Sequence, residues 1–302
     1  MSETTVRAPA KINLHLGVGA PREDGFHPLL TVYQAVGLYD DLTARAAPGW
    51  GLGVSLPDWM EPGAVPLAGE NIVDRAADLL AAHHGIARTG EVHIAKAIPV
   101  AGGMAGGSAD AAAALVALDR LWEVRTSDED LLALAAQLGS DVPFALLGGT
   151  ALGTGRGEVV DPVEDRGTWW WVVVPARTGL STPQVYRHFD KLFPDAPAAP
   201  APADELLQAI AEGDTWALAN ALHTDLEAAA VDLRPELGAL IEAGESAGAL
   251  RGIVSGSGPT CVFLCGSGDQ ARGLAAELSG TGHDVVLAAN GPVAGAHLVH
   301  YA

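Results

Sequence analysis

The chain has 302 residues, of which 49% are hydrophobic and 18% are charged, and this composition is typical of a globular protein. Its length exceeds the usual size of one hydrophobic core, so two domains are expected. The formal net charge of −20 argues against nucleic acid or an anionic membrane surface as a partner. No stretch approaches the roughly 18 apolar residues of a membrane span, and the N-terminus lacks a secretion-signal pattern, so a cytoplasmic protein is expected.

The first part of the chain is predicted to be rich in strands. Apolar and polar residues alternate in places from Thr4, which predicts a strand or strand pair ending near Gly17. The segment 27–45 is predicted to form another strand pair, broken by Gly37 and by an acidic turn at 40–41.

A strand, a glycine-rich loop and a helix follow. The Gly/Pro-rich segment 48–69 is predicted to be an exposed connection, and helical spacing predicts a helix over 71–84. The strand over 91–98 then ends at Pro99. Beyond it, four glycines fall within six positions before an alanine-rich helix capped at about Ser108; they are Gly102, Gly103, Gly106 and Gly107.

This glycine loop is predicted to hold phosphate. Glycine lets a ligand approach the main chain, and a helix N-terminus offers unpaired N–H groups with a partial positive charge. The loop lacks the Gly-Lys-Ser/Thr of a Walker A motif and the glycine order of a dinucleotide fingerprint. The alternative is a tight turn that lets the strand and the helix pack closely.

Three other features remain open on residue patterns alone. Lys11 lies in an apolar segment and either extends to solvent or serves a site. Asp141 precedes Pro143 and either caps a short helix or does chemistry. The glycine-rich turn 254–260 is either an ordinary turn or a second loop that approaches the phosphate site from the other domain.

The second half is predicted to alternate strands and helices after a domain boundary near 156–166. The apolar run 169–175 predicts a strand buried on both faces, and the Ala/Pro tract 194–205 predicts a mobile surface loop without a helix. The remaining predicted elements are helices over 206–222, 235–249 and 269–282, and strands over 251–254, 260–265, 284–289 and 296–301. Cys261 and Cys265 lie too far apart along one strand for a disulfide, so both are expected in the core of a reduced protein.

Five stretches together resemble the GHMP kinases. They are PAKINLHLGV with DGFHPLLTVYQAV, IPVAGGMAGGSADAAAALVAL, LGSDVPFALLGGTALGTGRGE and GIVSGSGPTCVF, in the family's order and spacing. The resemblance implies an α+β fold of two domains, 1–160 and 161–302. The first domain would contain a left-handed βαβ unit, and the second would be a ferredoxin-like α/β sandwich.

The resemblance also implies an activity. With Mg²⁺ present, ATP would phosphorylate the 2-hydroxyl of 4-diphosphocytidyl-2-C-methyl-D-erythritol, a step of isoprenoid precursor synthesis, by direct transfer. Asp141 would be the general base and Lys11 would assist. ATP would contact Asn71, Lys96, Pro99, Gly102, Gly103, Met104, Ala105, Gly106, Gly107 and Ser108, with Ser108 also reaching the metal.

For the substrate, the resemblance implies contacts from Asn13, Phe26, His27, Thr182, Pro183, Tyr186 and Arg187, with cytosine stacked between Phe26 and Tyr186. Ala105 stands where the family usually has glycine, and Ala109 where it has a second serine.

The alternatives are a mevalonate or homoserine kinase, or a catalytically silent ligand-binding relative. The expected partners are the small-molecule substrate and ATP, with no nucleic acid and no membrane, and the chain would be a monomer or a homodimer.

Overall fold

The computed structural model describes residues 3–66, 71–100, 102–176 and 178–299. Its strands form two sheets. The larger sheet contains β1 (Glu3–Val18), β2 (Leu29–Arg45), β3 (Trp50–Ser55), β4 (Gly90–Ala95), β5 (Thr150–Thr154), β6 (Val159–Pro162), β8 (His223–Thr224) and β12 (His297–Val299). The smaller sheet contains β7 (Trp169–Val174), β9 (Arg251–Val254), β10 (Cys261–Cys265) and β11 (Leu287–Gly291).

Helices pack against both sheets. They are α1 (Ile72–His84), α2 (Gly106–Trp122), α3 (Asp128–Leu138), α4 (Val142–Leu147), α5 (Thr182–Leu192), α6 (Asp204–Glu212), α7 (Thr215–Ala221), α8 (Glu227–Leu233), α9 (Pro235–Ser246) and α10 (Gly268–Gly280). Within the described ranges, none of the helices is both long enough and apolar enough to span a membrane.

The strands β1 and β2 form one long antiparallel pair that crosses the larger sheet. The predicted strand pair over 27–45 is therefore wrong, because β2 continues through Gly37 and through the acidic residues expected to turn. The register jumps from Ala10↔Val36 to Pro9↔Tyr39, so two residues of β2 bulge out and the strand bends without ending.

A parallel unit completes the edge of this sheet. Strand β3 pairs in parallel with β4, and α1 connects the two. The prediction that 48–69 is only an exposed connection is wrong for Trp50–Ser55, where Leu52 and Val54 pack against the core. The helix predicted over 71–84 is confirmed, and the Asn71 side chain caps it by accepting a hydrogen bond from the Val73 amide.

Helix α2 packs against β1, β2 and α1 with an alanine-rich surface. Its alanines 109, 111–114 and 117 are fully buried, and such small side chains let helix and sheet approach closely. The helix begins at Gly106 rather than at a Ser108 cap. Ala105 occupies the cap position in a left-handed conformation and makes no side-chain capping bond.

The smaller sheet is antiparallel with the order β11-β7-β10-β9. Its elements follow one another as βαββαβ, which is the expected ferredoxin-like arrangement. The prediction of a buried strand at 169–175 is confirmed, since β7 lies inside this sheet with Trp169 and Trp171 buried. Both cysteines are free and buried in β10, as expected.

The Ala/Pro tract 194–205 packs against the end of β1. The Ala20 amide donates to the Pro197 carbonyl at 2.8 Å, and a His15 ring nitrogen lies 3.0 Å from the Ala201 carbonyl oxygen. The prediction of a surface loop without a helix is wrong at its end, because Ala203 is buried and α6 begins at Asp204. One backbone hydrogen bond just beyond β1 and one contact from a side chain of β1 hold a segment that its composition alone does not place.

Candidate functional site

A cleft of about 380 Å³ opens where the glycine loop, the start of α4 and the turn 254–260 meet. Eleven of the predicted site residues line it: Lys11, Asn13, Pro99, Gly102, Gly103, Ala105, Gly106, Gly107, Asp141, Thr182 and Tyr186. Six further lining residues were not among the predicted ones: Leu16, Leu29, Tyr33, Arg156, Gly256 and Ser257. The structure thus gathers residues from both halves of the chain around one cleft.

The glycine loop packs backbone to backbone against the turn 254–260. Gly103 has φ of +75°, and a β-carbon there would lie 2.8 Å from the Ser255 carbonyl oxygen. A β-carbon on Gly102 would lie 2.8 Å from the Thr260 hydroxyl. The turn is therefore the second loop that the sequence left open, and a side chain at either glycine would force the two loops apart.

The N-terminus of α2 faces the cleft through bare backbone. Gly107 is exposed, and a β-carbon there would meet no atom within 4 Å. The first amides of a helix have no partner within the helix and carry partial positive charge. In a chain of net charge −20, this end supplies the local positive potential that an anionic ligand requires.

Lys11 and Asp141 meet in the cleft. Lys11 is 7% exposed, and its Nζ donates to the Asn13 Oδ1 at 2.6 Å and lies 3.7 Å from the Asp141 Oδ2. Asp141 precedes α4, but its side chain makes no capping hydrogen bond. The Lys11 amine therefore does not extend to solvent, and Asp141 occupies the cap position of α4 without using its carboxylate as a cap.

Asn13 holds the lysine in place. Its Nδ2 donates to the Thr31 hydroxyl at 2.8 Å, and Thr31 donates to the His15 carbonyl at 2.7 Å. These hydrogen bonds orient the Asn13 side chain so that its amide oxygen faces Lys11. Gly256 closes over the pair, because a β-carbon there would come within 3.0 Å of the Asn13 Oδ1.

Two tyrosines flank Asp141. Burial raises the pKa of the Tyr33 phenol well above its usual value, and the nearby Asp141 carboxylate raises it further. Burial, and to a smaller extent the Asp141 carboxylate, likewise raises the pKa of Tyr186. Both phenols therefore stay protonated and neutral near the carboxylate.

Lys96 lies beneath the glycine loop, outside the cleft. Its Nζ donates to the Asp40 carboxylate, to the Asp110 Oδ2 at 2.7 Å and to the Gly106 carbonyl at 3.4 Å. Burial alone would lower the pKa of Lys96, but Asp110 and Asp40 outweigh it and raise that pKa. The Asp40 Oδ1 also accepts from the amides of Ala97 and Ile98. This triad, Lys96 with Asp40 and Asp110, supports the loop from behind, and its amine does not reach the cleft.

The other predicted residues lie around the rim or further away. Asn71 is taken up by capping α1, Met104 is fully buried, and Ser108 is half-buried in the first turn of α2. His27 lies 2.8 Å from Asp190 with its ring 5.0 Å from the Tyr186 ring. The remaining three, Phe26, Pro183 and Arg187, are exposed and do not line the cleft.

Replacing Ala105 with glycine is expected to raise the free energy of unfolding by about 0.5–1 kcal/mol. Ala105 has φ of +57°, a conformation that costs a residue with a β-carbon about 1–2 kcal/mol in the folded state. Glycine removes this cost, but its greater freedom in the unfolded chain offsets about 0.4–1 kcal/mol of the gain. Urea denaturation measures the difference. Ala109→Gly, in the buried interior of α2, is the matched control and should destabilise; equal destabilisation by both would refute strain at Ala105.

Comparison with known proteins decides the family. Residues 71–149 match the GHMP kinases N terminal domain, and residues 206–284 match the GHMP kinases C terminal domain. A protein of Nocardioides sp. (strain ATCC BAA-499 / JS614) named 4-diphosphocytidyl-2-C-methyl-D-erythritol kinase is 84% identical over 98% of this chain and 100% of its own length. The chain belongs to the GHMP kinase family.

Solved GHMP kinases share its fold. The crystal structure of a 4-(cytidine 5'-diphospho)-2C-methyl-D-erythritol kinase has a TM-score of 0.78 at 32% identity, covering 96% of this chain and 98% of the other. A homoserine kinase from Cytophaga hutchinsonii ATCC 33406 has a TM-score of 0.77 at 20% identity, over 99% of this chain and 98% of its own, which shows the fold alone. A kinase of Thermobifida fusca (strain YX) with the same name as the Nocardioides protein is 54% identical over 99% of both chains.

Proposed function

We propose that this GHMP kinase transfers the γ-phosphoryl group of ATP to the 2-hydroxyl of 4-diphosphocytidyl-2-C-methyl-D-erythritol. The relatives that are 84% and 54% identical over almost the whole chain carry the name of that activity. The observation that carries the proposal is the Lys11 and Asp141 pair, 3.7 Å apart, beside a helix N-terminus built from glycines. A hydroxyl and a phosphate chain brought together there meet a base, a cation and an anion-binding loop.

The glycine loop binds the phosphates of ATP in this proposal. Amides at the start of α2 point toward the cleft, and the absence of side chains at Gly106 and Gly107 lets phosphate oxygens reach them. These donors are fixed before the ligand arrives, so they stabilise charge at little cost in reorganisation. The triad beneath the loop keeps their positions.

Asp141 takes the proton of the substrate hydroxyl as the oxygen attacks phosphorus. Its carboxylate carries no capping bond that would compete for the proton. Lys11, fixed by Asn13, faces the same point and stabilises negative charge on the attacking and transferred oxygens. The transfer is direct, and no covalent enzyme intermediate is needed.

Mg²⁺ fits the site as an ion held mainly by substrate phosphates. Among the residues that the structure describes, no group of three or more His, Cys, Asp or Glu side chains is placed to hold a metal ion. Mg²⁺ bound with nucleotides commonly uses only one or two protein oxygens. The Ser108 hydroxyl, in the first turn of α2, would be such an oxygen, and the ion would supply charge neutralisation at the phosphates.

At the other end of the cleft, Tyr186 and Phe26 would hold the cytosine. Tyr186 lines the cleft with its ring against His27, while Phe26 is 50% exposed at the rim. Stacking of one base on an aromatic ring is worth about 1–3 kcal/mol where it has been measured with nucleic acids. We further propose a domain boundary at 160, within β6 and before β7, with the ligands bound between domains 1–160 and 161–302.

Release of ADP with three alcohols tests the function. The purified chain is given ATP and Mg²⁺ with 4-diphosphocytidyl-2-C-methyl-D-erythritol, mevalonate or homoserine, and a reaction without alcohol measures background ATP hydrolysis. We expect turnover above background only with the cytidyl substrate. Turnover with mevalonate or homoserine instead, or with none of the three, would contradict the proposal.

A further inference from the structure

Arg156 is a cation of the cleft that the glycine loop and the catalytic pair do not account for. Among the described residues that line the cleft, the lysine and arginine side chains are Lys11 and Arg156. Lys11 is already held by Asn13 beside Asp141. Arg187, the arginine predicted for the substrate, is exposed on α5 and does not line the cleft.

The turn that carries Arg156 is fixed to β2 next to the catalytic pair. The Leu29 amide donates to the Gly155 carbonyl at 2.9 Å, and the Tyr33 hydroxyl lies 3.4 Å from the Gly157 carbonyl oxygen. Gly157 has φ of +97°, and a β-carbon there would overlap that hydroxyl. Because Tyr33 also faces Asp141, the turn holds Arg156 at a set distance from the reacting end of the cleft.

The guanidinium of Arg156 extends toward the opposite end. Its central carbon lies 4.9 Å from the centroid of the Phe26 ring, a cation–π contact. Glu158 holds the turn by accepting from the Arg156 amide at 2.6 Å, but it lies 3.5 Å from the Arg156 Nε. Most of the five N–H donors of the guanidinium therefore remain available for a ligand.

We propose that Arg156 binds the diphosphate of the cytidyl substrate. This inference rests on the function proposed above. In the substrate the diphosphate links the cytidine to the methylerythritol. The Arg156 guanidinium contacts Phe26, which is proposed for the cytosine, and its turn contacts Tyr33, which faces Asp141. A planar guanidinium matches two phosphate oxygens at once, which a lysine ammonium does not. The contact with Phe26 restrains the guanidinium.

Binding of cytidine, CMP and CDP by calorimetry isolates the role of the charge. In Arg156→Gln, we expect the Kd of CDP to rise by about tenfold to about a hundredfold, the range for losing a hydrogen bond to a charged group, while cytidine binding stays the same. In turnover assays, KM for the cytidyl substrate should rise by a similar factor while KM for ATP stays constant. The Arg156 side chain is 44% exposed, so the variant is expected to fold, and thermal melting checks this.

Arg166→Gln is the matched control, because Arg166 also pairs with a glutamate two residues away but lies outside the cleft. It should bind all three ligands as the wild type does. Unchanged CDP affinity in Arg156→Gln, an equal loss for cytidine and CDP, or a loss confined to Arg187→Gln would each overturn the inference. Wild-type protein inactive with the cytidyl substrate would refute the proposed function instead, so the two failures are distinguishable.

Discussion

Asp141→Asn is expected to lower kcat by about 10²- to 10⁴-fold, the range for loss of a general base, with little change in either KM. Asparagine keeps the shape of the side chain but cannot take a proton. The Asp141 side chain is 31% exposed and makes no capping bond, so the variant is expected to fold. Single-turnover measurement of phosphoryl transfer under saturating ATP and substrate separates the chemical step from product release.

Asp161→Asn, on an exposed strand away from the cleft, is the control for removing a carboxylate and should turn over normally. If Asp141→Asn retained more than about a tenth of the wild-type rate, the hydroxyl proton would leave by another route and the carboxylate would not be the base. Lys11→Gln alone should also lower kcat. Adding Lys11→Gln to Asp141→Asn should not restore any of the lost rate, because the two groups act on the same oxygen.

Lys96→Met is expected to lower the free energy of unfolding by about 3–5 kcal/mol, because it leaves two buried carboxylates without their cation. Lys96, Asp40 and Asp110 have side-chain exposures of 5% or less, and the Asp110 Oδ1 already lacks a hydrogen-bond partner within the described residues. Burial raises the pKa of the Asp110 carboxyl, and the charge of Lys96 opposes that rise. Urea denaturation with a constant m-value measures the loss.

A second substitution distinguishes the buried charge from a packing defect. Adding Asp110→Asn to Lys96→Met removes one of the stranded charges and should recover part of the stability. Arg45→Met is the control, since Arg45 pairs with Glu3 at the surface and its loss should leave the free energy of unfolding almost unchanged. A loss below about 1 kcal/mol in Lys96→Met would contradict the account of the triad.

Local chemistry in the sequence predicted a glycine loop that leads into a helix, and the structure confirms this loop and helix, while phosphate binding stays a prediction. Four glycines before a helix need no partner elsewhere in the chain to indicate an anion site, and the structure opens that helix toward the cleft. Lys11 and Asp141 differ in this respect. Each has an ordinary structural interpretation, and only the fold brings them within 3.7 Å, so the family resemblance rather than their spacing predicted the pair.

The errors arose where long-range packing decides the local structure. Aspartate is common in turns, which is why a turn was predicted at Asp40. A bulge instead lets β2 continue, and the Asp40 carboxylate is buried against Lys96. Nothing in the neighbouring residues distinguishes Tyr33 from a core residue of a strand, or Arg156 from a surface residue of a turn. Both reach the cleft because β2 and β5 are paired neighbours in the larger sheet, and this pairing is not visible in either segment alone.

The position of the new phosphate tests the central claim most directly. In the cytidyl substrate the 2-hydroxyl sits on a carbon that bears a methyl group and no hydrogen. Phosphorus NMR of the reaction with ATP and Mg²⁺ should therefore show a new phosphomonoester signal without proton coupling, beside an intact diphosphate. A proton-coupled phosphomonoester signal, or inorganic phosphate as the only new product, would contradict phosphoryl transfer to that hydroxyl by Lys11 and Asp141.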